Sequence, residues 1–197
     1  MDNEKLKNIK IILASGSPRR HQFFKDLDLK FEIRLKEIEE IYPEHLKREL
    51  ITNYLAALKA KVFEGELNHD ELLITSDTLV WLNDKALGKP KNYKDAFEIL
   101  KSISNQTHEV ITSVCFKSVN KIEVLYDVTK VTFKELSDEQ IIYYIDNYKP
   151  FDKAGAYGIQ EWIGLIGISK IEGSYTNVVG LPTEKVYNYL INYNIKE

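Results

Sequence analysis

The sequence predicts an α/β protein built on a mixed β-sheet that is flanked by helices. Short apolar runs bounded by turn residues, at residues 9–14 and 72–75, are typical of buried strands. Segments with apolar residues at helical spacing alternate with these runs, and residues 108–133 contain two strand-rich stretches joined by a polar turn. Alternating strands and helices favour parallel pairing, whereas a hairpin adds an antiparallel pair, so we expect both in one sheet.

The chain is predicted to begin with a strand, a helix and a second strand. Residues 9–14 form the first strand, and Ser17-Pro18 then offers a good N-cap residue followed by a proline that suits the first helical turn. Residues 31–35 alternate between apolar and polar side chains, which is the period of a half-buried strand.

A long helix is predicted over residues 43–67 and a shorter one over residues 93–103. Between them we expect a short buried strand at residues 72–75 and a turn at Asn83-Asp84. The long helix follows from five apolar residues at helical spacing, which are Leu46, Leu50, Tyr54, Leu55 and Leu58.

The second half of the chain is predicted to begin with a hairpin, formed by strands at residues 108–117 and 122–133. A helix over residues 137–147 follows, because Ser-x-x-Gln at its start is a capping-box pattern. The remaining segments are predicted as a strand over 165–171, a closing helix over 182–192, and two loops over 152–160 and 173–182.

The bulk composition excludes several classes of protein. The 197 residues carry a net charge of −3, so the basic surplus of a general nucleic-acid binder is absent. The single cysteine excludes an internal disulfide and a thiolate zinc site. No apolar run is long enough for a bilayer span and no secretory signal is evident, so we expect a cytoplasmic protein without a membrane partner. Without repeats or low-complexity linkers, residues 1–197 are expected to form one domain.

The stretch LASGSPRR, residues 13–20, joins the first strand to the first helix and has the composition of an anion site. Backbone N–H groups at a helix N-terminus favour negative charge. Ser15 and Ser17 add hydroxyl donors, and Arg19 and Arg20 carry planar guanidinium groups that suit phosphate oxygens. A capped helix with two solvated arginines explains the same residues, and the Gly-Lys-Ser/Thr ending of a P-loop is missing. Both interpretations stay open from this stretch alone.

Four further stretches contain residue types that are common in functional sites. Asp77 in SDTLV follows a predicted strand, where sheet ends often carry functional groups, although a turn cap explains it equally well. Because residue 79 is leucine, SDTLV is not the Asp-x-Asp pattern of phosphatases. Lys89 in GKP is a binding lysine or a solvated turn residue. The loops DKAGAYGIQ and GSYTNVVGLP are surface excursions or binding segments.

Together and in order, these stretches resemble the motifs of the Maf family, nucleoside triphosphate pyrophosphatases historically linked to septum formation. The resemblance covers residues 11–190 and six motifs: LASGSPRR, SDTLV, GKP, HEV-x-T at 108–112, DKAGAYGIQ and GSYTNVVGLP. It implies a fold similar to the inosine triphosphate pyrophosphatases of the Ham1 type, with an elongated mixed sheet, two lobes and a central cleft. It also implies hydrolysis between the α- and β-phosphates, which releases a nucleoside monophosphate and pyrophosphate.

Three positions resemble the dTTP/UTP branch of that family rather than its 7-methyl-GTP branch. They are Pro18-Arg19-Arg20, Asp77-Thr78 and Gln160. By resemblance, Asp77 corresponds to the proton acceptor, while Arg19, Thr78 and Gln160 correspond to positions that influence substrate choice. An amide such as Gln160 both donates and accepts, so it suits the O4/N3–H edge of thymine or uracil.

The implied reaction needs a divalent metal cation, Mg²⁺ or Mn²⁺, because the triphosphate charge must be neutralised. Asp77 is the expected metal ligand together with Glu40, which aligns with a functional glutamate of the family. The resemblance is also compatible with a homodimer. Five residues are expected to bind phosphates: Ser15, Arg20, Lys59, Lys89 and Lys153.

Two other functions stay open at this point. The chain could be a nucleotide-sensing regulator of cell division with little turnover, or a pyrophosphatase for another nucleotide, such as a modified pyrimidine or 7-methyl-GTP. Two residues have open roles as well. Tyr157 either stacks on the base or belongs to the core, and His108 is either structural or catalytic.

Overall fold

The computed structural model describes residues 9–193, and within that range it is a mixed α/β fold. Seven strands and seven α-helices follow one another in the described residues. The strands are β1 (Lys10–Leu13), β2 (Phe31–Ile33), β3 (Glu71–Leu82), β4 (Lys85–Leu87), β5 (Thr107–Lys117), β6 (Ile122–Phe133) and β7 (Ile168–Glu172). The helices are α1 (Pro18–Asp26), α2 (Glu49–Lys61), α3 (Tyr93–Ile103), α4 (Asp138–Tyr148), α5 (Trp162–Gly167), α6 (Tyr175–Val179) and α7 (Thr183–Asn192).

The strands form one mixed sheet, which confirms the predicted fold class. Its order is β2-β1-β3-β5-β6-β7, and β4 pairs with β3 outside that path. Strand β1 pairs in parallel with β2 and with β3, so that Ile12 lies opposite Glu32 on one side and Leu73 on the other. The pairs β3–β4 and β6–β7 are antiparallel. Parallel pairs therefore arise from the strand–helix–strand segments and antiparallel pairs from the hairpin at Asn83-Asp84 and the return of β7.

The chain divides into two compact units. The first contains the described parts of Met1–Asp77, Thr112–Tyr126 and Gly180–Glu197, and the second contains Thr78–Ile111 and Asp127–Val179. Strands β3, β5 and β6 each contribute residues to both units, because the boundaries fall within them.

The first unit buries both faces of its strands, as the period-two alternation of side chains requires. One face of β1, β3 and β5 packs with α1 and α7, and the other packs with α2. The first cluster includes Ile11, Leu13, Leu72, Ile74, Phe24, Val186 and Leu190, and the second includes Ile12, Leu73, Cys115, Ala56, Ala60 and Phe63. Cys115 is therefore a small core residue.

In the second unit, α3 packs against α4 and against a 3₁₀ turn at Ala154–Ala156. His108, Phe133 and Tyr157 form a buried aromatic group, with the rings of His108 and Tyr157 edge to face at 5.4 Å. Tyr157 donates to or accepts from His108 Nε2 at 2.8 Å. Both rings therefore lie in the core of the second unit.

Several predicted elements are confirmed closely. Helix α3 has the predicted bounds, and α7 begins one residue later than expected. The predicted capping box of α4 is present, because Ser137 Oγ accepts from Gln140 N while Gln140 Oε1 accepts from Ser137 N. The predicted turn at Asn83-Asp84 has φ of 49° and 59° at its two residues, which matches a two-residue hairpin turn.

The predicted helix over 43–67 is too long. Helix α2 starts at Glu49, after Arg48, whose φ of 52° is incompatible with a continuing helix. Its apolar face also differs from the prediction. Leu50 and Tyr54 are exposed, whereas the helix packs through Ile51, Thr52, Leu55, Ala56 and Ala60. The predicted face does not include Ala56 and Ala60, whose small side chains allow α2 to lie close to the sheet.

The predicted strand at 72–75 is too short, and this error concerns a candidate functional residue. Strand β3 continues to Leu82, so Asp77 lies inside a strand rather than directly after one. The polar residues Ser76 and Asp77 suggested an end to the strand, but both are buried. The Asp77 carboxylate is compensated by Lys59, whereas the buried Ser76 hydroxyl has no hydrogen-bond partner among residues 9–193.

Two further predictions near the C-terminus are wrong in part. The strand expected at 165–171 begins only at Ile168, because α5 occupies residues 162–167. Gly164 permits this helix, since a Cβ at that position would lie 2.1 Å from the carbonyl oxygen of Ile159. The loop expected at 173–182 contains the short helix α6.

None of the helices within residues 9–193 has the length and apolar character that a membrane span requires.

Burial of His108 predicts an acid-dependent loss of stability. Desolvation lowers the pKa of His108 to about 4, below the value of about 6.5 expected in the unfolded chain. The unfolded state therefore binds the extra proton between these values, and stability falls as the pH decreases from about 6.5 to 4. Between pH 7 and pH 5 we expect the free energy of unfolding of the wild type to fall by about 2 kcal/mol more than that of His108→Gln.

Urea unfolding at the two pH values measures this effect. His69→Gln is the matched control, because His69 is exposed and its replacement should leave the pH dependence of wild type unchanged. Equal pH dependence in the wild type and His108→Gln would contradict a neutral buried imidazole.

Candidate active site

The side chain of Asp77 projects from β3 towards α2. Thr75 and Asp77 are alternate residues of one strand, so they share a face. On that face, Thr75 Oγ1 donates a hydrogen bond of 2.7 Å to the carbonyl oxygen of Ala56. One turn further along α2, Lys59 Nζ donates to Asp77 Oδ1, also at 2.7 Å. The strand–helix contact therefore fixes both the carboxylate and the ammonium group that faces it.

Lys59 contacts a second carboxylate as well. Its Nζ atom lies 2.8 Å from Glu40 Oε1, so one ammonium group bridges Glu40 and Asp77. Only 10% of the Asp77 side chain is exposed, against 42% for Glu40. Asp77 is thus the buried and fixed member of the pair, whereas Glu40 lies at the surface in a segment outside the helices and strands.

Burial is the main influence on the protonation of Asp77. Desolvation raises the pKa of Asp77 above the usual aspartate range, and the charge of Glu40 acts in the same direction. The neighbouring charges of Lys59 and Arg20 oppose this shift. A carboxylate whose pKa is raised holds a proton more readily, which is the property that a proton acceptor needs.

Arg20 connects the LASGSPRR loop with two other parts of the first unit. Its Nε atom donates to the carbonyl oxygen of Gly180 at 2.8 Å, and Nη1 donates to the carbonyl oxygen of Ser76 at 3.2 Å. Nη1 also donates to Ser15 Oγ at 3.3 Å. Desolvation lowers the pKa of Arg20 to about 10, which leaves the guanidinium charged at neutral pH.

The LASGSPRR loop is itself held by contacts with Ser15. Ser15 Oγ accepts from the backbone N–H of Ser17 at 3.3 Å, and the carbonyl oxygen of Ser15 lies 2.5 Å from His21 Nε2. Since a carbonyl oxygen only accepts, His21 is the donor in that contact. Ser15 is buried, and Arg19 is half-buried on α1.

A second group of polar side chains is built within the second unit. Lys153 is buried, and its Nζ atom lies 2.7 Å from Asp152 Oδ1 and 3.1 Å from Glu161 Oε1. The other oxygen of Glu161 accepts a short hydrogen bond from the Tyr144 hydroxyl. That hydroxyl in turn accepts from the backbone N–H of Gly158 at 3.0 Å. Both ends of the DKAGAYGIQ loop are therefore anchored.

The predicted site residues fall into two sets. Asp77, Glu40, Lys59, Arg20 and Ser15 come together in the first unit through the contacts described above, and Arg19 belongs to the same unit. Four belong to the second unit: half-buried Thr78, which follows Asp77 on β3, exposed Lys89 after β4, buried Lys153 and exposed Gln160.

Sequence reasoning missed three groups that organise these side chains. Two are backbone carbonyl oxygens, at Ser76 and Gly180, which no residue type reveals. The third is the carboxylate of Glu161, which pairs with Lys153. A buried lysine needs an acidic partner, but the sequence does not show that Lys153 is buried.

The acidic pair has the type of ligand that a divalent cation prefers. Residues 9–193 contain no cluster of three or more His, Cys, Asp or Glu side chains that could hold a metal ion alone. Oxygens of Asp77 and Glu40 nevertheless converge on one point, which the Lys59 ammonium group occupies as a stand-in cation. Mg²⁺ commonly takes one or two carboxylates and completes its shell with phosphates and water.

Comparison with known proteins finds a matching family model and two similar proteins. A family model described as Maf-like protein matches residues 10–193. A protein named dTTP/UTP pyrophosphatase from Flavobacterium johnsoniae is 70% identical over 190 residues, which cover 96% of this chain and 98% of that protein. A protein of the same name from Flavobacterium psychrophilum is also 70% identical, over 98% of this chain and 99% of its own.

One solved structure is also similar in outline. The nucleoside-triphosphatase, or dITP/XTP pyrophosphatase, of Mycobacterium abscessus covers 94% of this chain and 100% of its own, with 11% identity and a TM-score of 0.49.

The contacts of Arg20 predict a structural role that lysine cannot fill. In Arg20→Lys the planar fork is lost, so the bonds to Gly180, Ser76 and Ser15 cannot form together. We expect a loss of about 2 kcal/mol in the free energy of unfolding, measured by urea denaturation. Lys25→Arg, an exposed change on the same helix, is the control and should stay within about 0.5 kcal/mol of wild type. A loss no larger than that of the control would contradict this role.

Proposed function

The chain belongs to the Maf family, and from that membership we propose that it is an enzyme that hydrolyses dTTP and UTP. The bond broken is the one between the α- and β-phosphates, and the products are the nucleoside monophosphate and pyrophosphate. The observation that carries the proposal is the 70% identity, over nearly the full length of both chains, to a protein named dTTP/UTP pyrophosphatase. The buried Asp77 carboxylate among Lys59, Glu40 and Arg20 supplies the chemistry that such a reaction needs.

In the proposed mechanism, Asp77 accepts a proton from the attacking water. Its position inside β3 keeps the carboxylate in one place, which favours an oriented attack. In the metal-free protein, burial raises the pKa of Asp77. A divalent cation, Mg²⁺ or Mn²⁺, held by Asp77 and Glu40 would neutralise phosphate charge and acidify the attacking water.

The cationic side chains are proposed to bind the phosphates. The charge of Arg20 favours an anion near the start of α1, where backbone N–H groups also favour negative charge. Lys59 supplies an ammonium group, and Ser15 a hydroxyl group. Lys89 and Lys153 are proposed to contact phosphates as well, on the resemblance of their motifs alone.

Substrate choice is proposed to depend on Arg19, Thr78 and Gln160. Gln160 is exposed at the end of an anchored loop, so its amide is available to a ligand without a change in the loop backbone. Such an amide can accept from N3–H and donate to O4 of uracil or thymine.

We further propose that residues 1–197 act as one domain, because β3, β5 and β6 each contribute residues to both compact units. A homodimer and a cytoplasmic location complete the proposal. Light scattering of the purified protein and fractionation of cells that express it would test these two points.

A nucleotide panel tests the reaction itself. The purified protein is incubated with Mg²⁺ or Mn²⁺ and with dTTP, UTP, CTP, 7-methyl-GTP or pseudouridine triphosphate, and the products are separated by ion exchange. We expect monophosphate and pyrophosphate from dTTP and UTP. Orthophosphate with a diphosphate would refute the assigned bond, and binding without turnover would favour a nucleotide sensor.

Replacement of Asp77 tests the proton acceptor. In Asp77→Asn the carboxylate is lost while the side-chain volume is kept, so we expect kcat to fall at least about 100-fold. Steady-state kinetics with UTP and a circular dichroism melt measure activity and folding separately. Asp70→Asn, an exposed substitution just before the same strand, is the control and should keep full activity. Wild-type turnover by Asp77→Asn would show that the proton acceptor is another group.

Replacement of Gln160 tests base selection. A carboxylate cannot donate to O4 of uracil, but it can accept from the N4 amino group of cytosine. In Gln160→Glu we therefore expect the ratio of kcat/KM for UTP to that for CTP to fall about tenfold. Gln140→Glu is the control, because glutamate suits the capping box of α4 equally well. Equal losses for both nucleotides would argue against base contact by Gln160.

A further inference from the structure

The ammonium group of Lys59 occupies the point at which the two candidate metal-binding carboxylates converge. Its Nζ atom lies 2.7 Å from Asp77 Oδ1 and 2.8 Å from Glu40 Oε1. Only 18% of the Lys59 side chain is exposed, so this ammonium group is largely surrounded by protein. The contact is an arrangement of a cation between two anions and not a solvated lysine.

A divalent cation between the two carboxylates would compete with this ammonium group for Asp77 Oδ1 and Glu40 Oε1. Mg²⁺ binds carboxylate oxygens at about 2.0–2.1 Å, whereas the ammonium nitrogen lies 2.7 and 2.8 Å from them. Two cations at such separations also repel strongly in a partly buried site. The Lys59 ammonium group and a divalent cation therefore compete for the position between the two carboxylates.

We propose that Lys59 is a resident cation of the nucleotide-free enzyme, which keeps Asp77 and Glu40 together until it leaves them for the triphosphate. When a divalent cation and the nucleotide are bound, the ammonium group of Lys59 lies on phosphate oxygens instead of on the carboxylates. The inference rests on the proposed function for the identity of that anion. The competition between Lys59 and a divalent cation is independent of turnover.

The surroundings of the three side chains are suited to such an exchange. Asp77 is fixed within β3, so the oxygen that both cations need stays in place. Lys59 ends a flexible four-carbon chain on α2, and its ammonium group can move while the helix backbone remains. Glu40 is 42% exposed in a segment without regular secondary structure, which gives it freedom to change partners.

The exchange has a thermodynamic consequence for the unliganded protein. Without a cation between them, two neighbouring carboxylates repel each other, and one of them is buried. Removal of the lysine charge should therefore destabilise the empty protein and strengthen its affinity for divalent cations. The same removal should weaken nucleotide binding, because the triphosphate loses one ammonium partner.

Lys59→Met tests the competition, since methionine is neutral, of similar length and suited to a helix. We expect the dissociation constant for Mn²⁺, measured by calorimetry on the full chain without nucleotide, to decrease about tenfold. Lys61→Met on the same helix is the matched control, because Lys61 is exposed, and its Mn²⁺ affinity should equal that of wild type. Lys59→Gln serves as the second variant if Lys59→Met does not fold.

A second titration follows the ammonium group to its new partner. With Mn²⁺ saturating, a non-hydrolysable UTP analogue with a methylene group between its α- and β-phosphates should bind Lys59→Met about tenfold more weakly than wild type or Lys61→Met. Unchanged or weaker Mn²⁺ affinity in both Lys59 variants would overturn the proposal. Tighter Mn²⁺ binding with unchanged affinity for the analogue would overturn the transfer to the triphosphate.

The outcomes also separate this inference from the proposed function. A protein that hydrolyses none of the nucleotides in the panel but binds Mn²⁺ more tightly after Lys59→Met would refute the function and retain the competition. A protein that hydrolyses UTP but shows no change in Mn²⁺ affinity after Lys59→Met would support the function and refute the competition.

Discussion

The burial of the Asp77 carboxylate is the constraint on which the site depends. An ionised carboxylate inside a sheet is costly unless a cation and hydrogen bonds compensate for its lost hydration. The fold supplies that cation by packing α2 across β3, where the bond from Thr75 to Ala56 sets the position of Lys59. Packing that looks purely structural therefore determines the electrostatics of the candidate active site.

Local patterns predicted those elements whose ends are set by neighbouring residues. The capping box of α4 and the turn at Asn83-Asp84 are examples, because a few adjacent side chains decide their geometry. The length of β3 could not be predicted in this way. The buried carboxylate of Asp77 is paired with Lys59 of α2, and Arg20 binds the backbone carbonyl oxygen of Ser76, so the partners come from elsewhere in the chain. Tertiary contacts thus override a local signal that a strand should end.

The same distinction applies to the candidate site. Motif resemblance identified Asp77, Glu40 and Lys59, and the described structure brings these three side chains into contact. The resemblance does not predict that Lys59 lies between the two carboxylates, because residue types do not specify which side chains are in contact. The carbonyl oxygens of Gly180 and Ser76 that accept from Arg20 cannot be predicted either. Every residue has a carbonyl oxygen, and only the fold determines which ones Arg20 contacts.

The anchored loop at residues 152–160 has a consequence for the base selection that we propose for Gln160. Lys153 and Glu161 join the two ends of the loop, and the Tyr144 hydroxyl holds Glu161 and the backbone of Gly158. The ordering entropy of this segment is lost on folding and not on encounter with a ligand. A mutation at Gln160 can therefore exchange the chemical group that is presented while the frame beneath it persists. Under the proposed role of Gln160, a single substitution there would change the nucleotide preference without disordering the loop.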